Sequence, residues 1–528
     1  MTAYWKTLSH NGVSFPDPYK PEGLAIRVKG RPVALSPLAE EMAYALAKKK
    51  DTPYIQDPTF AANFMKDFVK EMPDWCRGAR YSDVDFEELF SKVDREKAAK
   101  ESMSKDEKKA LAAERKARRE ELKARHGKAI LDGQEVEIAN WMVEPPGLFM
   151  GRGAHPMRGK WKPRVYQTDV ILNLDRSAKV PPGKWKRVVH DHNSMWMAKW
   201  IDKLTAKEKY VWLHESTPIQ QTRSREKYDK ARKVGVNLQK IRTRILKDLD
   251  SKDPRIKQVA TACYLIDVLG MRVGDEKDED EVDTVGASTL RVEHVKVEPN
   301  RVKFDFLGKD SVRWQKNLVL RPSEESVVRN LGEFTSKKEP DDEIFQHIDS
   351  AMVNQYLSSI VPGLTAKVFR TYHATAVADG ALHSKDLRGA DDLDKLYHEK
   401  EANLKAAVFC NHQRTPPKTW EESLKKREQK LADAQAREKP GSKRLKKLQL
   451  ELNFYKRTKN YNLNTSLKNY IDPRLVKAWA DEVGLDWARI YSKSLQRKFS
   501  WVAGAAPSEK SRAVKVAAGS GRVVKRSP

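Results

Sequence analysis

Residues 416 to 460 limit what this chain can fold into more than any other stretch. Two charged helical segments flank Lys439-Pro440-Gly441-Ser442, a strong break signal, and carry too few apolar side chains to enter a globular core. They can fold back only on each other, as an antiparallel helical hairpin. Its seam is thin, with Leu424 and Leu431 facing Leu445, Leu448, Leu452 and Tyr455, which predicts a mobile arm. The chain must therefore build separate domains before and after it.

Residues 461–502 form the later one, a small helical domain in which Asp472-Pro473 supplies an N-cap and a proline at the first helical position. Residues 503–528 are Ala, Gly, Ser and basic residues, the composition of a disordered tail. Ahead of the hairpin, residues 1–103 mix short extended runs, prolines and aromatics such as Trp5, Phe15, Tyr19 and Trp75, which suits an α+β lobe. Ser104-Lys-Asp-Glu107 is a capping box that opens a charged helix, with Gly127 at the C-cap position. Prolines, glycines and β-prone runs such as Lys209-Tyr-Val-Trp-Leu213 then return, so residues 104–213 read as that helix and a second mixed lobe. Residues 214–415 are mainly helical, except for a β meander in which Leu290–Val297 and Arg301–Leu307 alternate with period two. Gly308 is placed as the turn residue, which sets Lys309 at a hairpin tip.

The length of 528 residues allows several real cores, and no run approaches the roughly 20 apolar residues of a membrane-spanning helix. No signal-peptide succession opens the chain. Cys76, Cys263 and Cys410 form no pair with metal or redox spacing and read as reduced core thiols. Lys and Arg outnumber Asp and Glu by 101 to 74, a formal charge of +27 that points to a polyanionic partner. Asp278-Glu-Asp-Glu281 reads as a solvated loop because adjacent side chains point different ways, and no Walker loop or acidic metal cluster is present in the sequence.

Breaking a phosphodiester without water needs a nucleophile, cations for the charge on the non-bridging oxygens, and an acid for the leaving oxygen. Arg272 and Arg370 can each grip two phosphate oxygens, His412 can add a donor, and Lys309 is an ammonium on a long stem able to protonate a 5′ oxygen. Tyr470, just before a helix cap, can present an exposed hydroxyl. Each residue alone has an ordinary reading: a surface ion pair, a solvated turn lysine, a helix-end cap, a packed phenol. Their local strings are more specific.

Cys263-Tyr-Leu-Ile-Asp-Val-Leu-Gly-Met-Arg-Val-Gly-Asp-Glu-Lys277, Asp283-Thr-Val-Gly286, Leu290-Arg-Val-Glu-His294, Phe304-Asp-Phe-Leu-Gly-Lys-Asp-Ser311, Leu364-Thr-Ala-Lys-Val-Phe-Arg-Thr-Tyr372, Cys410-Asn-His-Gln-Arg414 and Asn469-Tyr-Ile-Asp-Pro-Arg474 resemble, in order, the eukaryotic-type DNA topoisomerase IB family. Glu144-Pro-Pro-Gly-Leu-Phe-Met-Gly-Arg-Gly153 and His155-Pro156 extend the resemblance to nearly the whole chain. It implies a multidomain α+β clamp around duplex DNA, with mixed cap lobes, a helical catalytic lobe, a helical-hairpin linker and a C-terminal domain bearing the tyrosine. It also implies roles: Tyr470 as the nucleophile that forms a 3′-phosphotyrosyl link, Arg272, Arg370 and His412 on the phosphate, and Lys309 as general acid. Arg152, Lys209, Tyr210, Lys227, Asp275, Lys277, Thr284, Thr365, Lys367 and Asn469 match the family's DNA contacts.

Two positions depart from the family pattern, Met150 where Arg is frequent and Asp275 where Asn is frequent, so the resemblance leaves minor-groove contact and sensitivity to camptothecin-type inhibitors open. The chain opens at Tyr4-Trp-Lys-Thr-Leu8, close to the clamp, which suggests a compact member without the long charged N-terminal extension. The expected activity is cleavage, swivelling relaxation and religation without ATP, metal or other cofactor. The expected protein is a monomer on supercoiled duplex DNA, nuclear in a eukaryote and nucleoid or cytoplasmic otherwise. The alternatives are a tyrosine recombinase, which generally carries His where Lys367 stands, and a non-enzymatic architectural DNA binder, for which charge alone would suffice.

Overall fold

The structure is a computed structural model describing residues 3–151, 153–274, 285–308, 312–417 and 419–503. It is a multidomain mixed α/β protein in which the chain up to Gln220 builds one compact unit and the chain from Gln221 builds another.

In the first unit, β1 (Leu8–His10), β2 (Ala25–Val28) and β3 (Arg31–Ala34) precede helices α1 (Pro37–Ala47) and α2 (Pro58–Phe68). Strand β4 (Val84–Asp85), helices α3 (Glu87–Ser102) and α4 (Lys105–His126) and strands β5 (Lys128–Leu131) and β6 (Gln134–Glu137) follow. The unit ends with β7 (Gly147–Leu148), β8 (Trp161–Lys162), β9 (Ile171–Asn173), β10 (Arg187–Val189), β11 (Trp196–Ile201) and β12 (Glu208–Trp212). One core packs α1 to α3 on the β3-β2-β4 sheet through Ile26, Phe60, Phe64, Phe68 and Leu89, with Trp161 added from β8. A second joins Leu8, Leu172 and Trp200 from the β1-β5-β6 and β10-β9-β11-β12 sheets with Trp5 from the chain ahead of β1. The two cores are interleaved in sequence: β1 comes first in the chain yet pairs with β5. The capping box forms as expected, with Ser104 Oγ accepting from Glu107 N at 3.1 Å and Glu107 accepting from Ser104 N at 2.7 Å. No residue of α4 is buried, in keeping with its charge.

Helix α5 (Pro218–Asp248) carries the chain into the second unit, where α6 (Pro254–Leu269) is buried all round, the mark of a central helix. It begins at the Asp253 N-cap and ends at Gly270, whose φ of 64° is left-handed and where a β carbon would lie 2.7 Å from Phe409. The meander follows as an antiparallel sheet of β13 (Val295–Glu298), β14 (Arg301–Gly308) and β15 (Val312–Val319), and then α7 (Glu325–Thr335), α8 (Ser350–Ile360), α9 (Ala366–Leu382) and α10 (Asp392–Phe409). Two expectations need correction. Residues 290–294 are not strand: Val292–His294 is a 3₁₀ turn, because Val292 N and Glu293 N donate to Asp342 O and Pro340 O and Leu290 O accepts from Ile344 N. Gly308 is not the turn either, since it is the last register partner of Val312; Lys309, between them, lies outside the described residues.

The helical hairpin is α11 (Trp420–Arg437) against α12 (Lys443–Arg457), with Leu448 and Leu452 in the seam as expected and with Ala434 and a Trp420–Tyr455 stack at 5.5 Å that the leucine pattern did not disclose. It is lashed to α10 by Lys446, which bonds Asp391 at 3.1 Å and Asp394 at 2.6 Å, and by an Arg457–Glu401 pair at 2.5 Å. The chain ends in α13 (Leu463–Asn469), α14 (Pro473–Glu482), α15 (Lys493–Lys498) and α16 (Ser500–Ala503). Their core of Ile471, Trp479 and Phe499 continues into Ala378 of α9 and Ala402 and Ala406 of α10. All three cysteines are buried and free, and no described helix is long and apolar enough to cross a membrane.

Candidate active site

Tyr470 is held at the junction of α13 and α14 by main-chain bonds that leave its ring to face inward. Its N–H donates to Ser466 O at 2.9 Å, while its carbonyl accepts from Thr375 Oγ1 of α9 at 3.1 Å. The same hydroxyl accepts from Asp472 N at 3.0 Å, so one threonine fixes both sides of the junction. Asp472 then caps α14 and bonds Arg474 and Arg232, and Arg474 reaches Asp229 at 2.7 Å. Lys227 of α5 donates to Asn469 O at 2.9 Å. A half-buried phenol is thereby set on a framework of helices rather than on a free loop.

Three cationic or polar side chains converge on that ring. Arg272 leaves the end of α6 on a segment whose carbonyl accepts from Ala287 N at 2.8 Å, and Val273 O accepts from Ser288 N at 2.6 Å. The approach is close enough that a β carbon on Gly286 would lie 2.3 Å from Gly274 Cα, which explains glycine in both strings. The Arg272 guanidinium lies near enough to Tyr470 for the two side chains to interact electrostatically. Arg370, in the second turn of α9, lies with its guanidinium carbon 5.1 Å from the Tyr470 ring centre and donates to Cys410 O at 2.7 Å. The His412 ring is 4.8 Å from that of Tyr470, centre to centre. It is aimed by Asn411, whose φ of 51° is a left-handed conformation that Asn tolerates, and pinned by its own N–H to Ala407 O and by Asn462 N to its carbonyl.

The electrostatics are those of an anion site. Arg272 is lowered to about 10 by burial and then by the charge of Arg370, and so remains protonated at neutral pH. His412 is lowered to about 3, again by burial first and then by Arg370 and Arg272, which leaves a neutral imidazole. Neither arginine is ion-paired with a carboxylate among the described residues. His412 Nδ1 and Nε2 and Arg370 Nε are buried without a hydrogen-bond partner there. Two repelling guanidiniums and an unpartnered imidazole around a phenol can accept a group with several anionic oxygens.

The structure thus brings together Tyr470, Arg272, Arg370 and His412, with Lys227 and Asn469 bonded to each other beside them. Thr365 is the N-cap residue of α9 and Lys367 is exposed on its first turn, ahead of Arg370. Lys209 and Tyr210 lie on β12 of the first unit, where Tyr210 Oη donates to Glu208. Arg152, Asp275, Lys277, Thr284 and Lys309 lie outside the described residues. Sequence reasoning missed Thr375 and Asn411; only an Asn beside a candidate histidine after a helix end hinted at the second.

Three family descriptions match consecutive stretches: the DNA binding fragment of eukaryotic DNA topoisomerase I over residues 3–213, its catalytic core over 216–445, and the C-terminal topoisomerase domain over 442–509. DNA topoisomerase 1 beta and alpha of Arabidopsis thaliana are 37% and 36% identical over 94% and 95% of the chain, which spans 58% and 59% of their lengths. Human DNA topoisomerase 1 is 36% identical over 94% of the chain and 70% of its own length. With this agreement along nearly its whole length, the chain belongs to the eukaryotic DNA topoisomerase I family.

Proposed function

We propose that the protein is a type IB DNA topoisomerase, an isomerase that cuts one strand of duplex DNA, lets the duplex swivel and reseals it, without ATP or metal. The observation that carries this reading is the convergence of Arg272, Arg370 and His412 on the Tyr470 phenol. Tyr470 oxygen attacks the scissile phosphorus while its proton is released under the field of the two arginines, since a phenol ordinarily ionises only near pH 10. The arginines take the charge on the non-bridging oxygens, and His412, neutral, adds a hydrogen bond rather than a charge. The bond from phosphorus to the 5′ oxygen breaks, and Lys309 is proposed to protonate that oxygen. The product is a 3′-phosphotyrosyl ester and a free 5′ hydroxyl. One phosphate diester replaces another, so resealing is the same step reversed and relaxation of either sign of supercoil needs no outside energy.

In this reading residues 1–103 and 104–213 are the cap lobes, 214–415 the catalytic lobe, 416–460 the linker, 461–502 the nucleophile domain and 503–528 the tail, closing as a clamp. Arg152, Lys209, Tyr210, Lys227, Asp275, Lys277, Thr284, Thr365, Lys367 and Asn469 are proposed to touch DNA, mainly its backbone. The protein acts as a monomer on supercoiled DNA inside the cell, wherever that DNA is kept. Incubation with supercoiled plasmid in EDTA without ATP tests this. A ladder of relaxed topoisomers is expected from the wild type and none from Tyr470→Phe; an inactive wild type, or an active Tyr470→Phe, would sink the proposal.

A further inference from the structure

Lys316 stands on the inward face of β15. The strand alternates, and Trp314 and Leu318 on either side of it along that face are 6% and 2% exposed. Lys316 lies cross-strand from buried Phe304. A cation there needs acceptors, and it has two main-chain ones at helix ends: Nζ donates to Leu269 O at 2.6 Å and to Phe409 O at 3.2 Å. These are the last residues of α6 and α10, where unpaired carbonyls concentrate partial negative charge. The ammonium also lies 5.1 Å from the ring centres of both Trp314 and Phe409. Phe409 in turn packs on Gly270, so one lysine and one aromatic ring join the same two helix ends.

Both ends lead directly into the site. Arg272 follows Leu269 through Gly270-Met271, and His412 follows Phe409 through Cys410-Asn411, while the charge of Lys316 is felt at Cys410 beside those of Arg370 and Arg272. We propose that Lys316 is a positioning residue for strand cleavage, whose ammonium clamps the ends of α6 and α10 and so fixes Arg272 and His412 at the spacing the scissile phosphate requires. This rests on the topoisomerase function proposed above. The residue touches neither phosphate nor nucleophile in this role, and it acts through the two loops it ties.

The test uses the full chain and a duplex oligonucleotide containing a cleavage site mapped with the wild type, made once with a phosphodiester and once with a methylphosphonate at that position. The methylphosphonate has no charged non-bridging oxygen, so it depends less on the placement of Arg272, Arg370 and His412. Lys316→Met is expected to cleave the phosphodiester roughly ten- to hundredfold more slowly, as a displacement of catalytic groups of about 1 Å would cause. Most of that loss should disappear on the methylphosphonate, and Lys316→Arg, which keeps charge and donors, should recover part of it on the phosphodiester. Lys316→Gln, which keeps a donor, serves for the same comparison if Lys316→Met melts below the assay temperature. An undiminished rate, or an equal loss on both substrates, overturns the inference. A wild type that forms no covalent adduct on the phosphodiester sinks the topoisomerase reading instead, so the two failures are distinct.

Discussion

Arg370 and Arg474 are buried to nearly the same degree, 4% and 5% exposed, in opposite surroundings. Arg474 is enclosed by Asp472 and Asp229, whereas Arg370 faces a second guanidinium, a phenol ring and one carbonyl. A buried cation without a carboxylate opposes folding, and a bound phosphate would offset it. Arg370→Met is therefore expected to leave the DNA-free protein at least as resistant to heat as the wild type while slowing strand cleavage about a hundredfold or more; a clear drop in melting temperature would contradict this. His412 gives a pH prediction. Its folded value of about 3 lies below the ordinary 6.5, so between the two the unfolded chain binds a proton that the folded one refuses. The stability is complete above the ordinary value and erodes as pH falls toward the folded one. Melting of the DNA-free protein should weaken between pH 6.5 and about 4, and His412→Gln should flatten that slope; an unchanged slope would show that the imidazole is not held neutral.

At the scale of elements, the α13–α14 junction is held by a buried carboxylate. Asp472 caps α14 and bonds Arg474 and Arg232, so Asp472→Ala removes a cap and strands a buried arginine. A loss of about 3–5 kcal/mol in denaturant unfolding is expected, and a loss below about 1 kcal/mol would show that Arg474 finds other partners. Element starts were legible because their chemistry is local: the Ser104 capping box and the Asp472-Pro473 start each lie within a few residues of the bonds they make. The hairpin was legible from its break and its leucines. Trp420 was not, since it stands at the first residue of its helix and meets Tyr455 only once the hairpin closes. Leu290–His294 was misread for a related reason: a period-two pattern suggests a strand, but the backbone groups are taken by residues 340–344, which no local pattern discloses. In the sequence Lys316 is one basic residue among many, and only the register and burial of β15 place it on the inward face.

For the whole molecule, the relevant quantity is the formal charge of +27. A protein that grips phosphates with little sequence reading releases counterions when it binds, so the affinity of the proposed DNA-binding surface must depend steeply on salt. Binding to duplex DNA by Tyr470→Phe, which cannot cut it, is expected to weaken a hundredfold or more between about 50 and 200 mM salt and to vary little with sequence. Affinity nearly independent of salt would contradict the proposed phosphate grip. The order of the chain makes the family legible, because the strings around Arg272, Arg370, His412 and Tyr470 are long and occur in sequence. Their meeting at one phenol could not be read from spacing, since residues so far apart can be joined in many ways.

The central claim is a covalent bond between Tyr470 and a DNA 3′ phosphate. The most direct measurement is to stop the reaction on duplex DNA with detergent, digest protein and DNA, and locate the linked residue and strand end by mass spectrometry. The account predicts one adduct, on Tyr470, through the 3′ phosphate, absent from Tyr470→Phe. An adduct on another residue, a link to the 5′ end, or relaxation with no adduct at all would contradict it.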